Sequence, residues 1–265
     1  ENAELVISKD GKIIVYMGDD ERGEYLYKYV SNESMNEVKD KSTLLSNGNL
    51  YVAKFNDNFT GEWLLLDTQT TGLSSKAEVC IFTRLAASKV GATTMDRPEW
   101  IASNPKKNEV CCCLTNNKNR GIKTNKGGDK VDVDKVNPRK NNKYGQIVRW
   151  KPRDNNHSSV YFEWDLFVVA GNPNVHDDNN RGSKNIDKEN IFNSPDGLKF
   201  DKYGRLWIQT DGNYSNSGDF KGMGNNQMLI ADTNTGKIKR FMVGPKACEV
   251  TGLPFPPDYK TVFLN

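Results

Sequence analysis

The sequence predicts an all-β protein of the β-propeller class, because one strand–turn–strand phrase recurs along the chain. The four copies span residues 5–20, 100–117, 198–212 and 253–265. Each copy has an apolar strand, a turn rich in Asp, Pro, Gly, Asn or Lys, and a second apolar strand. A hairpin of this kind cannot bury both faces alone, so the repetition indicates sheets stacked around a common axis.

A second, outer hairpin follows each of the first three copies, and two hairpins make the four-stranded sheet of a propeller blade. We predict blades near 5–67, 99–170 and 195–244, and the inner half of a further blade at 249–265. A propeller needs at least four closed blades. We therefore expect the single domain at 1–265 to be an incomplete ring, completed by sequence outside it or by another chain.

One helix is predicted between the first two blades, over residues 75–90. Apolar residues recur there at helical spacing, at Val79, Phe82, Leu85, Ala86 and Val90. Gly91 follows as a plausible helix stop. We expect this helix to pack on the face of the ring.

Composition excludes several classes of function. The 37 basic and 34 acidic residues leave a net charge of +3, which argues against a nucleic-acid-binding protein defined by bulk charge. No apolar run approaches the ~20 residues of a membrane helix, and no signal peptide precedes the first strand. The five cysteines show no Cys-x-x-Cys spacing, so zinc is not expected. Three of them, at 111–113, are expected to pack inside a strand.

Three carboxylates lie just ahead of successive inner hairpins, at Glu99, Asp196 and Glu249. Equal phase in a propeller means an equal position around the axis, so these side chains are expected to converge on one cavity. Converging carboxylates repel one another unless cations lie between them. Asn116 and Asp211, at the ends of second strands, add further oxygen ligands of the kind that calcium requires. The alternative is that each acid caps a turn, as Asp commonly does in Pro-Asp-Gly.

Basic side chains near the same loops are candidates for binding an anion. Arg120, Arg139 and Lys143 all lie in or beside the long polar loop at 116–143. Arginine suits bidentate contacts with phosphate. The alternative for each one singly is a solvated position on the surface.

Eight short stretches together resemble the PhoX family of alkaline phosphatases, and they occur in the family's order over nearly the whole chain. They are VYMGDD at 15–20, LYVAKF at 50–55, TRLAA at 83–87, MDRPEW at 95–100, LTNN at 114–117, SPDG at 194–197, GRLWIQTD at 204–211 and CEVTG at 248–252.

The resemblance implies a six-bladed propeller with calcium and iron at its axis, in an exported enzyme that hydrolyses phosphomonoesters in the periplasm or outside the cell. The positions that match family motifs and suit metal binding are Glu99, Asp196 and Glu249, and less clearly Asn116 and Asp211. No catalytic nucleophile is assigned. The family's Asn-Asn-Cys and Cys-Glu-Glu-Asn stretches do not occur here, although their cysteine is expected to hold iron. This chain alone is therefore expected to lack part of the catalytic site.

Three hypotheses follow for function. The first is a metal-dependent phosphatase or a portion of one. The second is a non-catalytic calcium-binding propeller that binds a ligand or partner. The third is a calcium-dependent lactonase or esterase of propeller type. Bound iron with phosphomonoesterase activity supports the first, calcium without activity the second, and lactone hydrolysis without phosphate release the third.

Overall fold

The structure, a computed structural model, describes residues 2–265 and consists mainly of antiparallel β-strands. The strands are β1 Ala3–Ile7, β2 Lys12–Gly18, β3 Leu26–Ser34, β4 Gly48–Phe55, β5 Thr60–Leu66, β6 Pro98–Ser103, β7 Val110–Leu114, β8 Gln146–Pro152, β9 Tyr161–Val169, β10 Pro195–Phe200, β11 Arg205–Thr210, β12 Gln227–Asp232 and β13 Ile238–Val243. The helices are α1 Thr68–Thr71, α2 Lys76–Ile81 and α3 Thr83–Lys89. Short 3₁₀ turns lie at Lys41–Leu45, Arg153–Asn155, Asn179–Arg181 and Gly218–Phe220.

Two sheets contain all these strands. A nine-stranded sheet has the order β1-β2-β3-β4-β5-β9-β8-β7-β6, and a four-stranded sheet has the order β10-β11-β12-β13. The first sheet joins two strand groups edge to edge, because β5 pairs with β9. Gly61 allows this join, since a Cβ there would lie 2.2 Å from the ring of Phe162. The all-β propeller class predicted from the sequence is confirmed.

The core lies in layers between the strand groups. One layer packs Ile14, Trp63 and Trp150 between β1–β5 and β6–β9, and Cys112 belongs to it. Cys111 and Cys113 face the other way, into the layer shared with β10–β13. Alternate residues of a strand point to opposite faces, so the run of cysteines fills both layers. All three thiols are fully buried, and burial raises the pKa of each one above its ordinary value.

The single helix expected over 75–90 is two helices, α2 and α3, which meet at Phe82. Phe82 has the non-helical angles φ −102° and ψ 44°. The Thr83 hydroxyl bonds the carbonyl of Cys80 at 2.5 Å, a side-chain contact that competes with the regular helical pattern. The break turns Phe82 outward, although the periodicity placed it on the packed face.

The half blade expected at 249–265 contains no strand in the structure. Thr251 and Asn265 exchange two backbone hydrogen bonds, at 3.0 and 3.1 Å, without extending them into a ladder. Val250 and Leu253 pack instead against Trp207 of β11. Prolines at 254, 256 and 257 lack the N–H groups that a ladder needs, which accounts for the irregular backbone. Within residues 2–265, no helix combines the length and apolarity needed to cross a membrane.

Candidate metal centre

Three carboxylates come together at the ends of strands in the third group. Asp196 is the second residue of β10, Asp211 directly follows β11, and Glu249 lies in the segment after β13. One oxygen from each lies within 4.8 Å of the others. Two oxygens bound to one calcium ion, each at about 2.4 Å, lie at most about 5 Å apart. The spacing of this metal cluster, Asp196, Asp211 and Glu249, therefore fits a shared hard cation.

The electrostatics of the metal cluster show an unneutralised negative charge. Asp196 is buried, while Asp211 and Glu249 are exposed to solvent. Burial, together with the charges of Asp211 and Glu249, raises the pKa of Asp196 to about 7. Burial and the charge of Asp211 also raise the pKa of Glu249. A cation between these groups would reverse both effects.

Glu99 lies beside the metal cluster but is hydrogen-bonded to Asp20. Burial, the hydrogen bond with Asp20 and the charge of Asp196 raise the pKa of Glu99 to about 8. For Asp20, burial acts to raise the pKa, but hydrogen bonds from Glu99 and Arg97 outweigh it and the pKa is lowered. The charged form is thus favoured at Asp20, which Arg97 contacts, and the protonated form is favoured at Glu99.

The sequence patterns did not identify Asp20 and Arg97 as site residues, although both lie next to Glu99. Arg97 Nη2 donates to Asp20 Oδ2 at 2.7 Å, and the charges of Glu99 and Asp196 also act on its guanidinium. The signal was present, because both lie in stretches that resemble the PhoX family. Gly18 makes the contact geometrically feasible, since a Cβ there would lie 2.2 Å from the carbonyl oxygen of Pro98.

A left-handed backbone conformation recurs two residues before each of the three acids that the sequence placed at equivalent positions in successive blades. Arg97, Ser194 and Ala247 have φ values of 59°, 50° and 64°. Each lies two residues before an acid: Glu99, Asp196 and Glu249, respectively. The left-handed region is uncommon for residues other than glycine, so its recurrence at one phase marks a shared local geometry.

β-Bulges follow at the first two of these positions. Pairing of β6 with β7 shifts register between Pro98 and Ile101, and pairing of β10 with β11 shifts between Pro195 and Leu198. A bulge re-aims the side chains next to it. In both strands the acid is the residue directly after the proline, so both carboxylates are redirected in the same way.

Asn116 adjoins the metal cluster without belonging to its set of acidic ligands. Its Nδ2 donates to Ser194 Oγ at 3.2 Å, two residues before Asp196. Its role as a metal ligand stays a prediction. Among residues 2–265, the metal cluster contains no cysteine, so no thiolate is offered to a metal there.

Arg120 is fully buried and holds the scaffold together. Its Nε donates to Asp96 Oδ1 at 2.7 Å, and its Nη2 donates to the carbonyl of Thr94 at 2.9 Å. Nη1 bonds the Thr94 hydroxyl and the carbonyl of Asp132. The donors that anion binding would need are thus already engaged, and the side chain has no exposed surface. The anion-binding role expected from the sequence is not supported by this placement.

Arg139 and Lys143 are also engaged elsewhere. Arg139 is buried, and it donates to the carbonyls of Ala170 and Gly145, both at 2.5 Å. Burial lowers the pKa of Arg139 to about 10. Lys143 forms an ion pair with Asp219 on the loop after β11. Neither contact belongs to the metal cluster, and a substrate role for these two residues stays a prediction.

The fold and site together define a protein of the β-propeller class, with carboxylates that converge at strand ends and a guanidinium beside them. All 265 residues match the family model described as "Alkaline phosphatase PhoX". The chain therefore belongs to the PhoX alkaline phosphatase family.

Solved structures give one strong similarity. PhoX of Pseudomonas fluorescens, in complex with the transition-state analogue vanadate, is 53% identical with a TM-score of 0.92. The match covers 100% of this chain and 47% of that one, so the chain spans about half of that protein.

A gluconolactonase from Xanthomonas campestris is 10% identical with a TM-score of 0.33, over 98% of this chain and 67% of that one. This likeness is too weak to support the lactonase hypothesis. A comparison with curated proteins gave no match.

Proposed function

We propose that this chain forms part of a metal-dependent phosphomonoesterase, with the metal cluster as part of its active centre. The observation that carries the proposal is the approach of the Asp196, Asp211 and Glu249 oxygens to within 4.8 Å of one another. Membership of the PhoX family and 53% identity to a PhoX protein solved with vanadate support phosphate esters as the substrate class. A hydrolase acting on phosphomonoesters is the simplest function that joins these observations.

Calcium is the proposed cation at the metal cluster. Hard carboxylate oxygens are the donors that calcium prefers, and burial together with the crowding of acidic neighbours raises the pKa of Asp196 to about 7. Bound there, a divalent cation supplies Lewis acidity that polarises a phosphoryl oxygen. Iron is proposed from the family resemblance, but because residues 2–265 offer no thiolate at the cluster, no step is derived from it.

The chain's own residues suit the binding of a phosphoryl group next to the cluster. A guanidinium carries five N–H donors, and the bond from Arg97 to Asp20 uses one of them. The rest are suited to phosphoryl oxygens. Burial and the neighbouring carboxylates raise the pKa of Glu99, which favours its protonated form. The Asp20–Glu99 pair then contributes one negative charge rather than two, which limits repulsion of an anionic substrate.

Two further proposals, on cellular location and on the remaining blades of the ring, also come from the comparison with the PhoX family. The family resemblance favours a periplasmic or extracellular enzyme. The 47% coverage of the Pseudomonas protein is consistent with further blades supplied by other sequence or another chain. Reporter fusions of the complete protein to a periplasm-dependent enzyme would test export.

The proposed function is tested by elemental analysis and phosphomonoesterase assays on the complete protein and its variants. Asp196→Asn is expected to lower calcium content and to reduce activity at least about tenfold, a barrier change of ~1.4 kcal/mol. Glu99→Gln keeps a neutral donor toward Asp20, so it is expected to reduce activity only if Glu99 binds the metal, as the sequence predicts. Glu163→Gln, an exposed change on β9, serves as the matched control and should alter neither quantity.

Three outcomes would contradict the proposal. Full activity of Asp196→Asn with unchanged calcium would remove the metal cluster from the mechanism. Calcium without hydrolysis of any ester would favour a binding propeller. Lactone hydrolysis without phosphate release would favour the third hypothesis.

A further inference from the structure

A cavity of about 540 Å³ opens between the α2–α3 segment and the loop at 125–129. Its volume suits a small organic ligand. None of its lining residues belongs to the metal cluster. The apolar part of its lining is Ile81, Phe82 and Leu85, and the acidic part is Asp19, Glu24 and Asp129.

The apolar wall is unusually exposed. Ile81, Phe82 and Leu85 are 73%, 52% and 48% exposed, while Val79 and Ala86 on the same two helices are buried. The break at Phe82 produces this arrangement, because it turns the end of α2 and the start of α3 outward. Three neighbouring large apolar side chains on one wall provide a surface for an apolar ligand body.

Glu24 provides the charged floor. It is only 1% exposed, and within the described part of the chain, residues 2–265, its Oε2 accepts no hydrogen bond. The nearby cation is Arg84, whose Nε lies 3.7 Å from that oxygen. Arg84 is already held by Asp19 through two bonds of 2.6 Å. A buried carboxylate oxygen without a donor is costly, so this atom is a ready acceptor for a ligand.

Asp129 adds a second charge, for which residues 2–265 supply no ion-pair partner. Its Oδ2 accepts from the Ser88 hydroxyl at 2.6 Å and from Asn125 Nδ2 at 3.0 Å, both uncharged donors. Lys126, the other base of the cavity, bonds Glu21 at 2.6 Å. The charge imbalance also acts on Glu24: burial, with the charges of Asp19 and Asp129, raises its pKa to about 7 despite the opposing charge of Arg84.

We propose that this cavity binds an amphipathic organic cation, a primary amine carried on an apolar body. The ammonium group lies toward Glu24 and Asp129, and the apolar body lies on Ile81, Phe82 and Leu85. The carboxylates of Glu24 and Asp129 favour a positively charged amine, and the exposed apolar side chains favour an apolar group attached to it. The site adjoins the metal centre along the chain, because Asp19 lines the cavity and the next residue, Asp20, bonds Glu99 and Arg97.

Calorimetric titration with 2-phenylethylamine at pH 8 tests the proposal. The matched probes are 2-phenylethanol, which has the same body without the charge, and ethylamine, which has the charge without the ring. The amine is expected to bind at least about tenfold more tightly than either. Glu24→Gln and Phe82→Ser are each expected to weaken it about tenfold, and the exposed change Glu163→Gln should have no effect.

Equal binding of the amine and the alcohol, or unchanged binding by folded Glu24→Gln, would overturn the proposal. If Glu24→Gln does not fold, Asp129→Asn decides in its place, with circular dichroism as the check of folding. Calorimetry needs no turnover, so failure here is separate from failure of the proposed phosphatase activity. In the active protein, a KM that Glu24→Gln raises for an amine-bearing phosphomonoester but not for phenyl phosphate identifies the ligand as substrate. Unchanged KM values with amine binding intact identify an effector.

Discussion

Arg97 and Ser194 share a left-handed backbone conformation directly before a proline, with φ values of 59° and 50°. A residue before proline is normally confined to extended conformations, and a left-handed one costs an L-residue about 1–2 kcal/mol. The surrounding contacts therefore hold these two peptides in place. The acid that follows each proline is Glu99 of the Asp20–Glu99 pair or Asp196 of the metal cluster, so the strain lies next to these carboxylates.

The first prediction uses Ser194, comparing two variants that both lose the hydroxyl. At an ordinary φ, alanine would be more stable than glycine by about 0.4–1 kcal/mol. Here the order is expected to reverse, with Ser194→Gly more stable than Ser194→Ala by about 1 kcal/mol, because only alanine retains the Cβ clash. Urea unfolding of both variants provides the comparison. Alanine as the more stable variant would show that the left-handed conformation is not held in solution.

The second prediction concerns Asp196 in the absence and presence of calcium. With a chelator at pH 8, Asp196→Asn is expected to raise the free energy of unfolding by up to about 4 kcal/mol, because burial and the acidic neighbours raise the pKa of Asp196 to about 7. With saturating calcium the order should reverse, since only the wild-type protein gains the full binding energy. Unfolding curves under both conditions measure the crossover, with Glu163→Gln as the control. Parallel curves in chelator and calcium would contradict it.

The strands, and the equivalent positions of the acids, were predicted from the sequence better than the residues that each acid contacts. Alternation and turn residues locate β2, β6 and β10 because both signals are local. Whether an acid meets the cluster or a neighbour depends on contacts between strand groups. Asp20 and Glu99 are 79 positions apart, and only the close approach at Gly18 pairs them.

The basic residues show the same limit. Arg120 reads as a loop residue in the sequence, yet it is buried because Asp96, 24 residues earlier, supplies a carboxylate at 2.7 Å. The break between α2 and α3 was hidden for a different reason, since periodicity continues through Phe82 while the backbone does not. The burial of Arg120 depends on a tertiary partner that spacing does not reveal, whereas the helix break accompanies a local bond from the Thr83 hydroxyl to the Cys80 carbonyl.

The third prediction concerns Lys28, a fully buried lysine of β3. Its Nζ donates to the carbonyl of Ser159 at 2.6 Å and lies 5.0 Å from the ring centre of Trp63. Burial lowers its pKa from 10.5 to about 7. Between those two values the unfolded chain binds a proton that the folded chain does not. The contribution of Lys28 to stability is therefore expected to fall as the pH decreases from about 10 to 7, by up to ~1.4 kcal/mol per pH unit.

Lys28→Met should flatten this part of the stability curve, while the exposed change Lys39→Met should leave it unchanged. His157 does not interfere with this measurement. Burial lowers its pKa from 6.5 to about 4, so its contribution to the pH dependence of stability is confined to pH values below about 6.5. Urea unfolding at several pH values gives the slopes. An equal slope for Lys28→Met and the wild-type protein would mean that the buried amine keeps its charge.

The fourth prediction concerns the buried pair of Arg120 and Asp96. Asp96 Oδ1 also accepts from Asn117 Nδ2 at 2.9 Å, and its Oδ2 accepts from Asn142 Nδ2 at 2.8 Å. Arg120→Ala would leave this buried carboxylate without its cation, so a loss of about 3–5 kcal/mol is expected. Thermal unfolding measures the loss. An Arg120→Ala protein with wild-type stability and weakened phosphate inhibition would restore the anion-binding role predicted from the sequence.

The last prediction concerns Arg97, the guanidinium beside the Asp20–Glu99 pair. Arg97→Lys keeps a positive charge that can reach Asp20, but it loses the planar fork that binds two oxygens of one phosphoryl group. Inhibition by inorganic phosphate is expected to weaken about tenfold, or ~1.4 kcal/mol, while calcium content and thermal stability stay close to wild type. Because the cation is retained, charge loss cannot explain such a result, and geometry is left as its cause. Arg139→Lys is the matched comparison, since that guanidinium is buried between two carbonyls and its replacement should lower stability. Phosphate inhibition unchanged in Arg97→Lys but weakened in a folded Arg139→Lys would transfer the anion site from the metal centre to the loop at 116–143.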